Sequence, residues 1–159
     1  GVQMGPLIAD RRLPIMEDFV KNAKDCGAEI KTGGERIGNQ GYFYAPTVLS
    51  NVPDDAKIML EEPFGPIIPV THFNTFDEVV ERANSLPFGL SSYAFTSSGE
   101  TASRIGQALD SGMVGINHTM VATPETPFGG VNDSGYGSEG GIEGLDAYLR
   151  TKFITELGV

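Results

Sequence analysis

Cysteine occurs once in the 159 residues and tryptophan not at all, while Lys and Arg number 11 against 21 Asp and Glu. One thiol cannot close an intrachain disulfide, which fits a chain stabilised by packing in a reducing compartment, so a cytoplasmic location is expected. With a formal net charge of -10 and Arg11-Arg12 as its basic pair, the chain offers phosphate backbones and anionic lipid surfaces nothing to attract. Nucleic-acid and membrane partners are therefore not expected. Long apolar runs are missing too. Pro66 to Val70 falls far short of the roughly 20 residues a membrane span needs, and no basic start leads into an apolar run with a small-residue cleavage site. His72 and His118, with one cysteine and no Cys-x-x-Cys or His-x-x-x-His spacing, give no recognisable metal cluster.

What is present is enough apolar material for a core. At 40% hydrophobic residues, a chain of this length can bury roughly 68 to 70% of the surface its unfolded form exposes. The chain opens at Gly1, inside a Gly5-Pro6 turn, which points to a piece of something longer. Asp10 stands ahead of Leu13, Met16, Phe19, Val20 and Ala23 at three- and four-residue steps, with Gly27 placed to end a helix. Ala28 to Lys31 reads as a short strand, Thr32 to Gly41 as a glycine-rich turn, and Tyr42 to Leu49 and Ile67 to Phe73 as strands. Thr75 with Glu78, and Ser97 with Glu100, have capping-box spacing and predict helices ending near Leu86-Pro87 and Gly112. Ser92 to Thr96 and Met113 to Asn117 read as the flanking strands.

Strands alternating with helices imply an α/β domain, a layered three-layer (α/β/α) arrangement with a mostly parallel sheet. Thr119 to Gly141 loses periodicity and reads as a long functional loop. A short helix near Glu143 to Leu149 and a last strand near Thr151 to Leu157 follow. The expected organisation is a main body over residues 1–150 and a terminal strand over 151–159 that pairs with another subunit.

Gly135-Tyr136-Gly137-Ser138-Glu139-Gly140 is a literal G-x-G-x-x-G. In a dinucleotide site that fingerprint leaves a buried strand and lets a pyrophosphate approach a helix N-terminus. Here it leaves the polar stretch Gly129 to Ser134, so it reads as a loop. Cys26 sits between Asp25 and Gly27 at a helix end, where the carboxylate and the negative end of the helix disfavour a thiolate. Its expected role is structural. Glu61-Glu62-Pro63-Phe64-Gly65-Pro66 is a stiff turn able to present a carboxylate and a ring with little entropy left to lose on binding. As a turn alone, it reads equally as a solvated acidic bend with Phe64 in the core. Pro127-Phe128-Gly129-Gly130 places a rigid aromatic at a glycine turn, for packing or for a pocket wall.

Taken in order, Met4-Gly5-Pro6-Leu7, Gly41-Tyr42-Phe43 with Pro46-Thr47-Val48, Glu61 to Pro66, Ala83-Asn84, Phe88-Gly89-Leu90, Phe95-Thr96, Asn117, Pro127 to Gly130 and Ser134 to Gly137 resemble the C-terminal part of the aldehyde dehydrogenase superfamily. The resemblance implies oxidation of an aldehyde with NAD or NADP through a cysteine thioester, with the nucleophile, the base and the dinucleotide-binding domain lying upstream of this stretch. It implies that Glu62 accepts hydrogen bonds from the nicotinamide ribose and that Phe64 packs beside it. It also makes the loop from Asn117 to Phe128 a substrate-tunnel wall, with Asn117, Ala122, Thr123 and Phe128 as substrate contacts. Within the family, the loop is similar to that of succinic semialdehyde dehydrogenases, except that Ala122 stands where they often carry a carboxylate-binding serine; Thr123 is the substitute. No Lys or Arg occurs in the loop, so a substrate carboxylate would need a cation from outside it. Ser138 departs from the arginine common in relatives. A homo-oligomer is implied for the intact enzyme, and the chain alone is expected to be inactive. The competing expectation is a stand-alone, non-catalytic binding or assembly module of the same fold.

Overall fold

The computed structural model describes residues 3–158, which divide after Phe73 into two compact units. In the first, helix α1 spans Arg12–Asp25 and buries Leu13, Met16, Phe19, Val20 and Ala23. These are the positions that the three- and four-residue spacing selects, because they share one helix face. Asp10 lies just outside the helix: its carbonyl accepts from the Leu13 N–H at 3.0 Å, while its side chain accepts from the Arg11 N–H at 2.7 Å. The helix stops at Cys26, and Gly27 follows at φ +102°.

Strand β1 (Glu29–Thr32) runs antiparallel to β2 (Thr47–Ser50), which in turn pairs in parallel with β3 (Ile67–Val70). The aromatic run expected as strand from Tyr42 is strand only from Thr47, because before that point its backbone meets a single bridge, Arg36 to Tyr44. Short helix α2 (Lys57–Leu60) joins β2 to β3. It is fixed to α1 at two points: the Lys57 N–H donates to Asn22 Oδ1 at 2.8 Å, and the Lys57 ammonium meets Asp18 at 2.6 Å. Met16, Phe19, Tyr44, Leu49, Val52, Ala56, Ile58 and Ile67 close the core between them.

The second unit begins with α3 (Phe76–Ala83), whose Thr75 side chain accepts from the Glu78 N–H as its spacing predicts. The helix ends at Asn84 rather than near Leu86: the Asn84 amide bonds the Ala108 carbonyl and accepts from the Asp110 N–H, drawing the chain away from the helix axis. Strand β4 (Phe88–Gly89) pairs antiparallel with β7 (Val131–Asn132), and β5 (Ser91–Ala94) pairs in parallel with β6 (Met113–Ile116) across α4 (Gly99–Ala108). The cap of α4 is Ser98, accepting from the Thr101 N–H, one residue later than the Ser97 spacing suggests.

The mixed α/β class holds, with parallel crossings at β2–β3 and β5–β6, while the strands are shared among three small sheets. The expected C-terminal helix is a 3-10 turn, Glu143–Tyr148. Residues 151–158 carry neither helix nor strand: an extended segment becomes a strand only when a neighbour receives its N–H and C=O groups, and among the described residues none does.

Candidate active site

The turn after α2 carries the first group of expected site residues. Pro63 and Pro66 fix φ and remove two backbone donors, so the turn needs outside support. It comes from α1. Arg12 Nη2 donates to the Pro63 carbonyl, and Met16 lies under Gly65 so closely that a Cβ there would meet its sulfur at 2.2 Å. The Pro66 carbonyl accepts from the Thr47 N–H at 2.8 Å, tying the turn to β2.

Held in this way, Phe64 occupies the left-handed region at φ +44°. The residue is 72% exposed, which removes the reading that places Phe64 in the core. Strain of this kind persists only where the surroundings over-determine it, and it gathers at ligand-binding positions. Glu62 is exposed beside it. Phe64 also forms part of the wall of a cavity of about 660 Å³, together with Met4, Pro6, Leu7, Ile8, Arg12, Tyr44, Gly5, Gly65 and Pro66. Glu62 does not line this cavity.

The remaining expected residues belong to the second unit. Asn117 follows β6 at φ +60°, and its amide is engaged at both ends: Oδ1 accepts from the Thr96 N–H at 2.8 Å and Nδ2 donates to the Thr96 carbonyl at 2.9 Å. It pins the start of the loop. His118 Nδ1 accepts from the Met120 N–H at 3.2 Å, a local turn contact. Ala122 is exposed and Thr123 half-buried, its hydroxyl 3.1 Å from that of Thr126. Phe128 exchanges both backbone hydrogen bonds with Glu139, at 2.7 and 2.8 Å, so the wall loop and the glycine-rich turn are stitched into one ribbon.

That stitching explains the G-x-G-x-x-G. Gly135, Gly137 and Gly140 all have positive φ, and the segment before them is the two-residue strand β7, followed by a 3-10 turn in place of an α-helix. A hollow of about 690 Å³ lies against Pro87, residues 130–133 and residues 135–137, and the expected substrate contacts line neither it nor the first cavity.

Cys26 is exposed, with Sγ 4.0 Å from Asn22 Oδ1. Among the described residues, no three His, Cys, Asp or Glu side chains converge as metal ligands would, and no helix is long and apolar enough to cross a membrane. Sequence reasoning missed Arg12 and Met16 as supports of the Phe64 turn and Tyr44 as part of the cavity wall. A signal for Arg12 was available: it is a cation in the first turn of a helix with no acid there, against the sense of the helix dipole.

Residues 1–154 match the aldehyde dehydrogenase family model. Over 152 residues the chain is 42% identical to a 4-(hydroxymethyl)benzenesulfonate dehydrogenase of Comamonas testosteroni, a match covering 96% of this chain and 32% of that protein. It is 40% identical over 152 residues to a succinate-semialdehyde dehydrogenase of Paenarthrobacter nicotinovorans, covering 96% and 34%. Among solved structures, the NAD+ complex of an aldehyde dehydrogenase from Bacillus cereus matches with a TM-score of 0.87 at 36% identity, over 92% of this chain and 30% of that one. The chain thus spans about a third of the length of the curated relatives it matches. With a match over nearly its whole length and solved folds of the same kind, the chain belongs to the aldehyde dehydrogenase family.

Proposed function

We propose that this chain works as the C-terminal part of the catalytic domain of an NAD- or NADP-dependent aldehyde dehydrogenase, placing ligands for a reactive cysteine located elsewhere. The observation that carries the reading is the turn at residues 61–66: an aromatic ring held outward at φ +44° next to an exposed carboxylate. Among the described residues, Glu62 makes no hydrogen bond or ion pair within the chain, so its oxygens are open as acceptors for a diol. This donor-poor, acceptor-rich edge with an aromatic face suits a nucleotide ribose and the ring attached to it. When bound, the nicotinamide nucleotide supplies the hydride acceptor. Glu62 and Phe64 fix its orientation, and small displacements at a reacting centre are costly in rate.

Asn117, Ala122, Thr123 and Phe128 form the substrate wall in this reading. The substrate is an aldehyde, with succinic semialdehyde the first candidate because relatives that act on it align across nearly the whole chain. The intact protein is proposed to be a cytoplasmic homo-oligomer in which residues 151–159 pair as a strand with another subunit. Exposed Tyr148, Phe153 and Leu157 support a covering partner, since apolar surface of this extent is rarely left open.

The test is Glu62→Gln in the full-length gene product. A loss of about tenfold in kcat, or a comparable rise in the cofactor KM, is expected for one charge-assisted contact. Unchanged kinetics with a large loss of stability would make Glu62 a structural residue. Exchanges at Ala122 and Thr123 are expected to alter the preference among aldehydes by 10- to 100-fold (on the order of 1 to 3 kcal/mol).

A further inference from the structure

We infer that Arg12 is a positioning residue, one that holds the Glu62 to Gly65 turn in the shape that presents Glu62 and Phe64; this rests on the proposed role of that turn in holding the cofactor. Three observations meet at Arg12. The first is the strain at Phe64. A residue with a Cβ at φ +44° is disfavoured by its own backbone, and a ring that is mostly exposed gains little burial to offset this. Some other contact must hold the turn.

The second is the shortage of such contacts. Pro63 and Pro66 donate nothing, and among the described residues backbone hydrogen bonds reach the turn only at its ends, from the Glu61 N–H to Lys57 and from the Thr47 N–H to Pro66, apart from the local Ile67 to Gly65 bond. The carbonyl immediately before Phe64 is received by the Arg12 guanidinium. The third is the placement of Arg12 itself. It lies in the first turn of α1, which carries no acid, so the helix dipole does not favour a cation there. Its Nε is buried without a hydrogen-bond partner. Neither helix stability nor a complete local network accounts for the residue, whereas the Pro63 contact gives it a use. With Met16 beneath Gly65, the turn is gripped on both sides of Phe64.

Removing the guanidinium frees the Pro63 carbonyl to rotate. Phe64 then relaxes toward negative φ, and the adjacent carboxylate moves with it. Arg12 thus acts through the turn and touches no reacting atom.

The experiment compares wild type, Arg12→Met, Arg12→Lys, Glu62→Gln and the Arg12→Met/Glu62→Gln double variant of the full-length gene product, measuring kcat, both KM values and the thermal midpoint. Arg12→Met is expected to raise the cofactor KM about tenfold with a smaller change in the aldehyde KM, since misplacement falls on one ligand. Arg12→Lys, which keeps a donor for Pro63, is expected to recover part of the loss. The double variant is expected to be no worse than Glu62→Gln, because both changes act on one unit. A normal cofactor KM in Arg12→Met while Glu62→Gln raises it overturns the inference alone. Additive losses, or equal stability loss in the Met and Lys variants with no KM split, also overturn it. If Arg12→Met does not fold, the cofactor KM of Arg12→Lys decides, and a wild-type value there counts against the inference. A wild-type cofactor KM in Glu62→Gln overturns the reading of the turn and the inference with it.

Discussion

Tyr44 is 1% exposed, yet its hydroxyl meets no hydrogen-bond partner. A buried unsatisfied hydroxyl costs roughly 1 to 3 kcal/mol, and the ring's packing against α1 and the β2 strand must offset it. Burial, followed by the negative charges of Glu17 and Glu35, pushes the phenol up to about 12 from its ordinary value of 10.0. The fold therefore favours the protonated form. The stability this contributes is full below pH 10.0 and declines as pH rises from there through about 12. Tyr44→Phe keeps the ring and removes the orphaned group, so the urea midpoint is expected to rise by the equivalent of about 1 kcal/mol at neutral pH, and this tyrosine's share of the alkaline loss should vanish. A fall of similar size would show that the hydroxyl has a partner. At this scale the sequence was legible as a stiff turn, two acids followed by an aromatic between prolines, while the roles proposed for Glu62 and Phe64 came from the family resemblance. For Arg12 the sequence offered only a cation out of place in a first helical turn and no partner, because the Pro63 carbonyl is a backbone group 51 residues away that leaves no residue-type signature.

Helices followed local rules more closely than strands did. The spacing that predicted α1 named five residues, all of them buried, because a helix face is a property of one segment. Thr75 and Glu78 likewise marked α3, with one refinement: the Glu78 carboxylate reaches back to the Asn74 N–H at 2.8 Å. That backbone bond first, and lesser contacts from Asn74, Thr75 and Arg82, hold Glu78 below its ordinary value of 4.5. A lowered folded-state pKa gives stability that is present above pH 4.5 and is lost as pH falls through the lower folded value. An NMR titration of the Glu78 carboxyl should have its midpoint below 4.5, and Glu78→Gln should flatten the acid limb of the melting curve; an ordinary midpoint would remove Glu78 from the cap. The pairings of β7 with β4 and of Phe128 with Glu139 were illegible, since neither strand alternates and the first joins residues more than 40 apart. Glycines in this region were legible as a loop, and Gly112 as a helix end, while their actual work is close approach. A Cβ on Gly112 would sit 2.0 Å from the Gly129 carbonyl oxygen, with backbone on both sides and no side chain to yield. Gly112→Ala is expected to cost roughly 1 to 3 kcal/mol. Gly106→Ala, mid-helix in α4 with nothing within 4 Å, should instead stabilise by about 0.5 to 1 kcal/mol. Denaturant midpoints moving the same way in both variants would contradict this assignment.

Across the whole molecule, apolar burial is unevenly shared. Twelve buried residues form the core cluster of the first unit, whereas in the second the buried hydrophobic side chains among the described residues are Ile105 and Met113. The second unit exposes Tyr136, Ile142, Leu145, Tyr148, Leu149, Phe153, Ile154 and Leu157. A net charge of -10 opposes indiscriminate clumping, but it does not remove the hydrophobic drive to cover this surface. Sequence patterning could not reveal the imbalance, because it reports which residues are apolar and not which of them find a partner. The chemistry is divided in the same way. Glu62, Phe64 and the loop from Asn117 to Phe128 are the proposed ligand contacts, whereas the thiol, Cys26, is exposed at the C-terminal end of α1 next to Asp25, apart from all of them in the sequence and lining neither cavity. The purified 159-residue chain, supplied with an aldehyde and NAD or NADP, is therefore expected to produce no reduced nucleotide above the rate without protein, and Cys26→Ala should leave that background unchanged. Steady formation of NADH or NADPH by the chain alone, abolished by Cys26→Ala, would place the nucleophile within it and end the proposal that the reactive sulfur is supplied from elsewhere.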